Sequence, residues 1–344
     1  MEQDGGRLLA YGRYGCVFTS SLHCKNKPPA IEDKHLPTIT KLIEQDYAEI
    51  EFKMASIVRK IPLWKQYFAV SESICEPAKK QTESDLKKCP VVKGEPLSNF
   101  RVLSMAYRGV PIDSFRMNVK TFDPIAFISH FLEAGALLTL FGVVHRDIHR
   151  GNILIDTFGV PRIIDFNLAV YAKDDVAEDM FLHSHTLQVS QESPDATLVN
   201  ATAHGYDGRR VIDSLLSKKE ILKKIQSLLG VSTQYMRQRL NHFYQHSDSV
   251  KSGDSAAWFR SYWTKIDSWS VGVNIVFQII KWSISPAFSL GPQQKKLFDV
   301  LRKMCEVSPL DRIDCVQALH LWNPSHLILQ RYGKEWLAKV STTV

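Results

Sequence analysis

The sequence lacks the patterns that mark membrane-spanning and secreted proteins. Its longest nearly apolar run, residues 271–280, is interrupted by Asn274 and Gln278, whereas a membrane-spanning helix needs about 20 consecutive apolar residues. The first residues show neither the basic stretch nor the apolar stretch of a signal peptide. We therefore expect no membrane span and no secretory leader.

The cysteines lack the spacing of a metal site or a redox motif. The sequence contains no Cys-x-x-Cys pair, and no histidine stands at zinc-finger spacing. This absence favours a reduced, intracellular protein of the cytoplasm, in which thiols stay free. The six cysteines are Cys16, Cys24, Cys75, Cys89, Cys305 and Cys315.

Charge is not concentrated in one tail of the chain. The net charge is +7, with basic residues spread along all 344 positions. A basic balance favours partners that carry phosphate or carboxylate groups, and it allows nucleic acid binding without requiring it. The length and a hydrophobic content of 44% suffice for a large core.

The most informative stretch lies in the middle of the chain. An apolar run on each side of a turn at residues 156–159 predicts a β-hairpin. Asp147 and Asn152 lie in the polar loop before this hairpin, and Asp165 lies in the loop after it. We expect the hairpin to bring these side chains to one edge. Hard oxygen ligands suit Mg²⁺ bound with substrate phosphates, and a free carboxylate suits acceptance of a hydroxyl proton.

This pattern resembles the catalytic loop and metal-binding loop of protein kinases. A His-Arg-Asp triplet ends at Asp147, Asn152 follows five residues later, and an Asp-Phe-Asn triplet begins at Asp165. The resemblance implies that Asp147 is the catalytic base. It also implies that Asn152 and Asp165 hold the Mg²⁺ that accompanies ATP.

Two positions depart from the kinase pattern. The family's glycine after Asp-Phe is Asn167, a residue type that tolerates positive φ and could keep the backbone turn. The usual lysine near the γ-phosphate is His149. We expect His149 either to offer a protonated ring to the transferring phosphate or to cap the loop by hydrogen bonding to backbone. The loop is also similar to that of aminoglycoside and choline kinases, so it leaves the substrate class open.

The N-terminal part resembles the nucleotide-binding half of the same fold. Residues 8–18 match the glycine-rich loop with Ala10 in the place of its first glycine, although they would also suit a plain hairpin turn. Lys41 takes the place of the lysine that grips the phosphates. We expect Glu51 rather than Glu49 to pair with it, because apolar residues at helical spacing put Glu51 on the inward face. The nucleotide contacts that the resemblance implies are Gly12, Gly15, Val17, Lys41, Glu51, Met105 and Tyr107.

Two later stretches resemble protein kinases in particular. Asp267 begins a motif whose aspartate in that family anchors the catalytic-loop backbone. Arg312 ends a motif whose arginine pairs with the acidic residue closing the activation segment, a position taken here by Asp195. Small-molecule phosphotransferases lack both motifs. The resemblance therefore favours a protein acceptor.

The segments between these motifs carry further expectations. Residues 200–262 are an insertion relative to a typical kinase. Within it, residues 209–229 predict a single amphipathic helix that keeps its lysines off the apolar face. In the activation segment, we expect phosphorylation at one of four sites to order the chain through Arg146. The four sites are Ser184, Thr186, Ser190 and Thr197.

The sequence thus predicts an α+β, two-lobed, protein-kinase-like fold. A small, mainly-β N-lobe spans residues 1–108, and a larger, mainly-α C-lobe spans residues 109–344. The predicted activity is Mg²⁺- and ATP-dependent phosphorylation of Ser or Thr in protein substrates, with Lys41, Asp147 and His149 as catalytic residues. The motifs look most like kinases of large cytoplasmic DNA viruses, which implies host cytoplasm or virion. A pseudokinase scaffold and a small-molecule phosphotransferase are the alternatives.

Overall fold

The chain folds as the predicted α+β, kinase-like class, with a mainly-β N-terminal region and a helical C-terminal region. A computed structural model describes residues 6–12, 14–19, 22–26, 31, 35–81, 83–116, 118, 121–174 and 187–341. The chain divides into two compact units. The first holds residues up to 110 with 154–156 and 162–169, and the second holds 111–153, 157–161 and 170 onward.

The elements alternate in type at first and become mainly helical later. The strands are β1 (Arg7–Tyr11), β2 (Gly15–Thr19), β3 (Thr38–Glu44), β4 (Phe68–Ala69), β5 (Ser73–Cys75), β6 (Phe100–Ala106), β7 (Val110–Pro111), β8 (Val143–Val144), β9 (Ile153–Ile155), β10 (Pro161–Ile164) and β11 (Val170–Tyr171). The helices are α1 (Gln45–Val58), α2 (Trp64–Tyr67), α3 (Glu83–Leu86), α4 (Pro124–Leu140), α5 (Pro194–Ala203), α6 (Gly208–Lys218), α7 (Glu220–Leu229), α8 (Thr233–His246), α9 (Asp248–Ser252), α10 (Ser255–Trp282), α11 (Gln294–Met304), α12 (Cys315–Trp322) and α13 (Lys334–Ser341).

The first unit is built on an antiparallel sheet in the order β1-β2-β3-β6-β5. Its central strand β3 buries Leu42 and Ile43, and α1 packs on the sheet. Gly15 is needed where β2 meets β3, because a Cβ at this position would lie 2.3 Å from the Leu42 carbonyl oxygen. The predicted hairpin is present as the neighbouring strands β9 and β10, and β10 pairs in parallel with β4.

Two disulfides in the first unit contradict the prediction of reduced cysteines. Cys16 bonds to Cys89 and Cys24 bonds to Cys75, with Cα atoms 5.9 and 5.8 Å apart. The partners are 73 and 51 residues apart in the sequence, so only the folded sheet brings them together. The remaining two cysteines, both in the second unit, are free and buried.

The second unit is organised around α10. Its residue Trp269 is fully buried, and α10 packs on α4, α7 and α11. Helix α4 begins where Asp123 caps the amides of Ile125 and Ala126, with Pro124 in the first turn. No helix within the described ranges is long and apolar enough to cross a membrane.

The prediction of a single helix over residues 209–229 is wrong. The structure has two helices, α6 and α7, which meet at Lys219. The ψ of Lys219 is 100°, which breaks the helical hydrogen-bond ladder at that residue. The break places the Lys219 side chain in the interior, with 1% of its surface exposed, instead of on the polar face.

Candidate active site

Lys41 lies at the centre of a charged cluster in the first unit. Its Nζ is 2.7 Å from Glu51 Oε2 and 2.9 Å from Asp165 Oδ1. Burial lowers the pKa of Lys41, but the two carboxylates outweigh burial and raise the pKa above its ordinary value. Glu49 is exposed and bonds to Gln45 instead. Lys41 is therefore charged and held between Glu51 and Asp165.

The predicted glycine-rich loop is the turn between β1 and β2. The Gly12 amide donates to the Gly15 carbonyl at 2.9 Å, and a Cβ added at Gly12 would meet no atom within 4 Å. Val17 pairs with Lys41 across the sheet. On the other side of β3, Met105 of β6 pairs with Ile39. The amide of Tyr107, another predicted nucleotide contact, donates a hydrogen bond to the Pro37 carbonyl oxygen.

In the second unit, α10 fixes the backbone of the loop that carries Asp147. Asp267 accepts hydrogen bonds from the amides of His145 at 2.7 Å and Arg146 at 2.9 Å. Asn274 donates to the Ile148 carbonyl at 2.8 Å. The first contact agrees with the expected anchor, whereas the second was missed. Its only sequence signal was a polar residue in an otherwise apolar run.

Asp147 is surrounded by groups that hold its carboxylate in one orientation. Gln191 Nε2 donates to Asp147 Oδ1 at 2.9 Å, and Asn152 Nδ2 lies 3.0 Å from the Asp147 carbonyl oxygen and 3.3 Å from Oδ2. Burial raises the pKa of Asp147, but the nearby His149 ring and the Gln191 amide outweigh it and lower the pKa. Asp147 is thus ionised at neutral pH.

His149 has the geometry of a loop cap. Its Nδ1 accepts a hydrogen bond from the Gly151 amide at 3.0 Å, and its Nε2 is 3.6 Å from Asp147 Oδ2. Because Nδ1 is an acceptor, the neutral ring carries its proton on Nε2, on the side of Asp147. These contacts favour the second of the two roles expected for His149.

Backbone strain coincides with the catalytic motifs. Among the described residues, the non-glycine residues with positive φ are Leu63, Arg146 and Asp165, and the last two have φ of 69° and 65°. Strained backbone of this kind persists where the surroundings enforce it, which is common at functional sites. Asn167 does not have positive φ, so the expectation that it would preserve the family's glycine turn is wrong.

Three successive carbonyls of the segment before α5 are held by buried side chains. Lys219 Nζ donates to Val189 at 2.6 Å, Trp269 Nε1 to Ser190 at 3.0 Å, and Ser270 Oγ to Gln191 at 2.9 Å. Gln191 in turn contacts Asp147. Lys219, at the junction of α6 and α7, and two residues of α10 therefore hold the segment that contacts the Asp147 carboxylate. Sequence patterns identified neither Lys219 nor Gln191 for this role.

Replacing Lys219 by Met should remove a pH-dependent part of the free energy of unfolding. Burial lowers the pKa of Lys219 from 10.5 to about 8, against the opposing effect of Glu192 and Asp195. At pH values between these two pKa values, Lys219 is protonated in the unfolded chain and mostly neutral in the folded chain. This part of the unfolding free energy therefore rises with pH. Urea unfolding measures the free energy of unfolding of both proteins. The value for wild type minus the value for Lys219→Met should rise by about 2 kcal/mol from pH 7 to pH 10.

The matched control for this experiment is Lys218→Met, which removes the exposed neighbouring lysine. If the difference in unfolding free energy between wild type and Lys219→Met does not change over this pH range, burial does not lower the pKa of Lys219.

A buried ion pair fixes the start of α5. Arg312 Nη2 is 2.5 Å from Asp195 Oδ1, and neither side chain is exposed. Trp258 Nε1 also donates to Asp195, and the Arg312 guanidinium lies 5.3 Å from the ring centroid of Trp269. The pairing expected from the resemblance is present.

The expected phosphorylation sites differ in their surroundings. Thr197 is fully buried on α5, where its hydroxyl donates to the Ser193 carbonyl. It is therefore a wrong choice, because a kinase could not reach it in the folded chain. Ser184 and Thr186 lie outside the described residues.

Asn152 in the second unit and Asp165 in the first each offer an oxygen of the kind that Mg²⁺ binds. The described part of the chain has no cluster of three or more His, Cys, Asp or Glu side chains able to hold a metal. Mg²⁺ in such enzymes takes one or two protein oxygens and completes its shell with phosphates and water. The Asn152 amide nitrogen donates to Asp147, so the amide oxygen is the atom with which Asn152 would bind a metal. Asp165 uses Oδ1 for Lys41 and has a second carboxylate oxygen.

Comparison with known families agrees with this chemistry. A model of the phosphotransferase enzyme family, APH, matches residues 123–215. That stretch is similar to kinase-like phosphotransferases. It contains Asp147, Asn152 and Asp165 and covers about a quarter of the chain. A comparison with curated proteins finds no match. The fold and the family match together support a kinase-like phosphotransferase.

Proposed function

We propose that the chain is an ATP-dependent protein kinase that transfers the γ-phosphate of ATP to Ser or Thr hydroxyls of proteins. The observation that carries the choice of a protein acceptor is the buried pair of Asp195 and Arg312. This pair belongs to the protein-kinase pattern, and Arg312 lies beyond the stretch that the phosphotransferase family matches. The anchoring of the catalytic loop by Asp267 supports the same choice.

Each catalytic group has a role that follows from its charge. Lys41, held by Glu51, binds the α- and β-phosphates through its ammonium. Asn152 and Asp165 would hold Mg²⁺, which when bound neutralises charge on the phosphates. Gly12 and Gly15 carry no side chain that would keep phosphate oxygens away from the backbone of this turn, and the strand end at Met105 and Tyr107 binds adenine.

Asp147 orients the acceptor hydroxyl and accepts its proton. Its ionised carboxylate accepts a hydrogen bond from that hydroxyl, aims the oxygen at phosphorus and takes the proton as the new bond forms. Gln191 and His149 hold the carboxylate for this purpose. Because phosphoryl transfer has a loose transition state, orientation matters more than base strength, so a lowered pKa at Asp147 is compatible with this role.

Asp147→Asn should lower turnover by about 10² or more while nucleotide binding is unchanged. The amide keeps the size of the side chain but cannot take a proton. Transfer of radiolabelled phosphate to protein acceptors measures turnover, and titration with a fluorescent ATP analogue measures binding. Asp248→Asn is the matched control, because it makes the same change at an exposed carboxylate of the same unit, which pairs with Lys251 on the surface. Equal transfer by wild type and Asp147→Asn would contradict the role of Asp147.

A small-molecule phosphotransferase is the second candidate. The family match over residues 123–215 favours it, together with the His149 loop pattern. Under this alternative the label from ATP would appear on low-molecular-weight hydroxyl compounds and not on protein.

A further inference from the structure

A cavity of about 290 Å³ lies in the second unit beside the catalytic loop. His149 and Gln191 line it, and both also contact the carboxylate of Asp147. A group bound in the cavity would therefore sit next to the proposed base. The volume lies just below the roughly 300–1,000 Å³ typical of small-molecule sites, so it suits a side chain better than a whole multi-ring acceptor.

The part of the cavity lining that holds Arg150, Asp113 and Phe277 has further cationic side chains next to it. Arg150, which is about half exposed, lies 5.3 Å from the ring centroid of Phe277, and Lys224 lies 5.7 Å from the same ring. Asp113 is the carboxylate of this part of the lining, 3.3 Å from Arg150 and 4.0 Å from Lys281. Arg150 and Lys281 thus flank Asp113. Lys224 adds a third cation beside Phe277, which lines the cavity.

The arrangement leaves cationic groups able to bind an anion. The Arg150 guanidinium has five donors and uses one terminal nitrogen for Asp113. The position of the guanidinium over the Phe277 ring limits its conformational freedom and so reduces the entropy lost on binding. A carboxylate entering the cavity would accept from Arg150 and would be attracted by Lys224.

We propose that this cavity is an acceptor subsite that binds an acidic side chain close to the phosphorylated Ser or Thr of a peptide substrate. The inference rests on the proposed function, because it assigns the cavity to the acceptor. It adds a substrate class that the catalytic motifs do not specify. The residues that set the preference are Arg150 in the catalytic loop and Lys224 on α7.

The test is binding of two fluorescein-labelled peptides to the full chain, read by fluorescence anisotropy without nucleotide. The peptides share one Ser acceptor and differ in flanking residues, Asp in one and Lys in the other. The acidic peptide should bind about 10-fold more tightly, as expected for one additional charge-assisted hydrogen bond. Arg150→Glu and Lys224→Glu should each abolish most of this preference.

Lys223→Glu is the matched control, because it makes the same charge change at the exposed neighbouring position of α7. It should alter the preference by less than about twofold, since exposed charges interact weakly. Equal binding of both peptides, or an equal loss with Lys223→Glu and Lys224→Glu, would overturn the acidic subsite.

Phosphate transfer to the same peptides separates this inference from the proposed function. Preferential binding of the acidic peptide without any transfer supports the subsite and overturns the kinase activity. Transfer to both peptides at equal kcat/KM supports the kinase activity and overturns the subsite.

Discussion

Asp165→Ala should abolish Mg²⁺- and ATP-dependent phosphate transfer. In the proposed mechanism Asp165 is the one carboxylate assigned to Mg²⁺, and the bound metal would neutralise charge on the transferring phosphate. The substitution also removes one of the two carboxylates that hold Lys41, at 2.9 Å. The loss of transfer should exceed that of Asp147→Asn, because both metal binding and the position of Lys41 are affected.

The measurement is transfer from radiolabelled ATP at saturating Mg²⁺, with circular dichroism to verify folding. Glu49→Ala is the control, because it removes an exposed carboxylate from the same unit without touching Lys41. It should retain wild-type transfer. Undiminished transfer by Asp165→Ala would show that Asp165 does not hold the metal.

Arg312→Ala should lower the free energy of unfolding by about 3–5 kcal/mol, the range measured when one partner of a buried ion pair is removed. The change leaves Asp195 as a charge in a site with no exposed surface. Trp258 would be its one remaining donor among the contacts described above. Arg312 also donates to the Glu306 carbonyl at 2.8 Å, and that bond would be lost as well.

Urea unfolding of the purified variant measures this effect. Lys251→Ala is the control, since Lys251 pairs with Asp248 at 2.8 Å on the surface. Exposed pairs contribute little to stability, so this control should unfold with the wild-type midpoint. If Arg312→Ala also unfolds at the wild-type midpoint, the ion pair does not fix α5 as described.

Sequence patterns could predict contacts that depend on local spacing or on a long-established motif. Glu51 was identifiable as the partner of Lys41 because helical spacing places it on the buried face of α1. Asp267 and the pair of Asp195 and Arg312 were identifiable only through resemblance. Asp195 and Arg312 are 117 residues apart, and no periodicity connects them.

Other features depended on tertiary packing that sequence patterns do not encode. The sequence pattern does not distinguish Lys219 from the other lysines of an amphipathic helix. Its side chain is buried because the chain breaks between α6 and α7 at this residue. Gln191 lies in a polar segment 44 residues from Asp147, and nothing in its local sequence distinguishes it. The disulfides of Cys16 and Cys24 likewise follow from the packing of the sheet and not from cysteine spacing.

Phosphoamino-acid analysis of proteins labelled by the purified chain tests the central claim most directly. Wild-type protein is incubated with Mg²⁺, radiolabelled ATP and a mixture of generic protein acceptors, and the labelled proteins are hydrolysed. The account predicts label in phosphoserine or phosphothreonine, and its absence when Asp147→Asn replaces wild type. Label confined to small hydroxyl compounds, or label in protein that Asp147→Asn produces equally well, would contradict it.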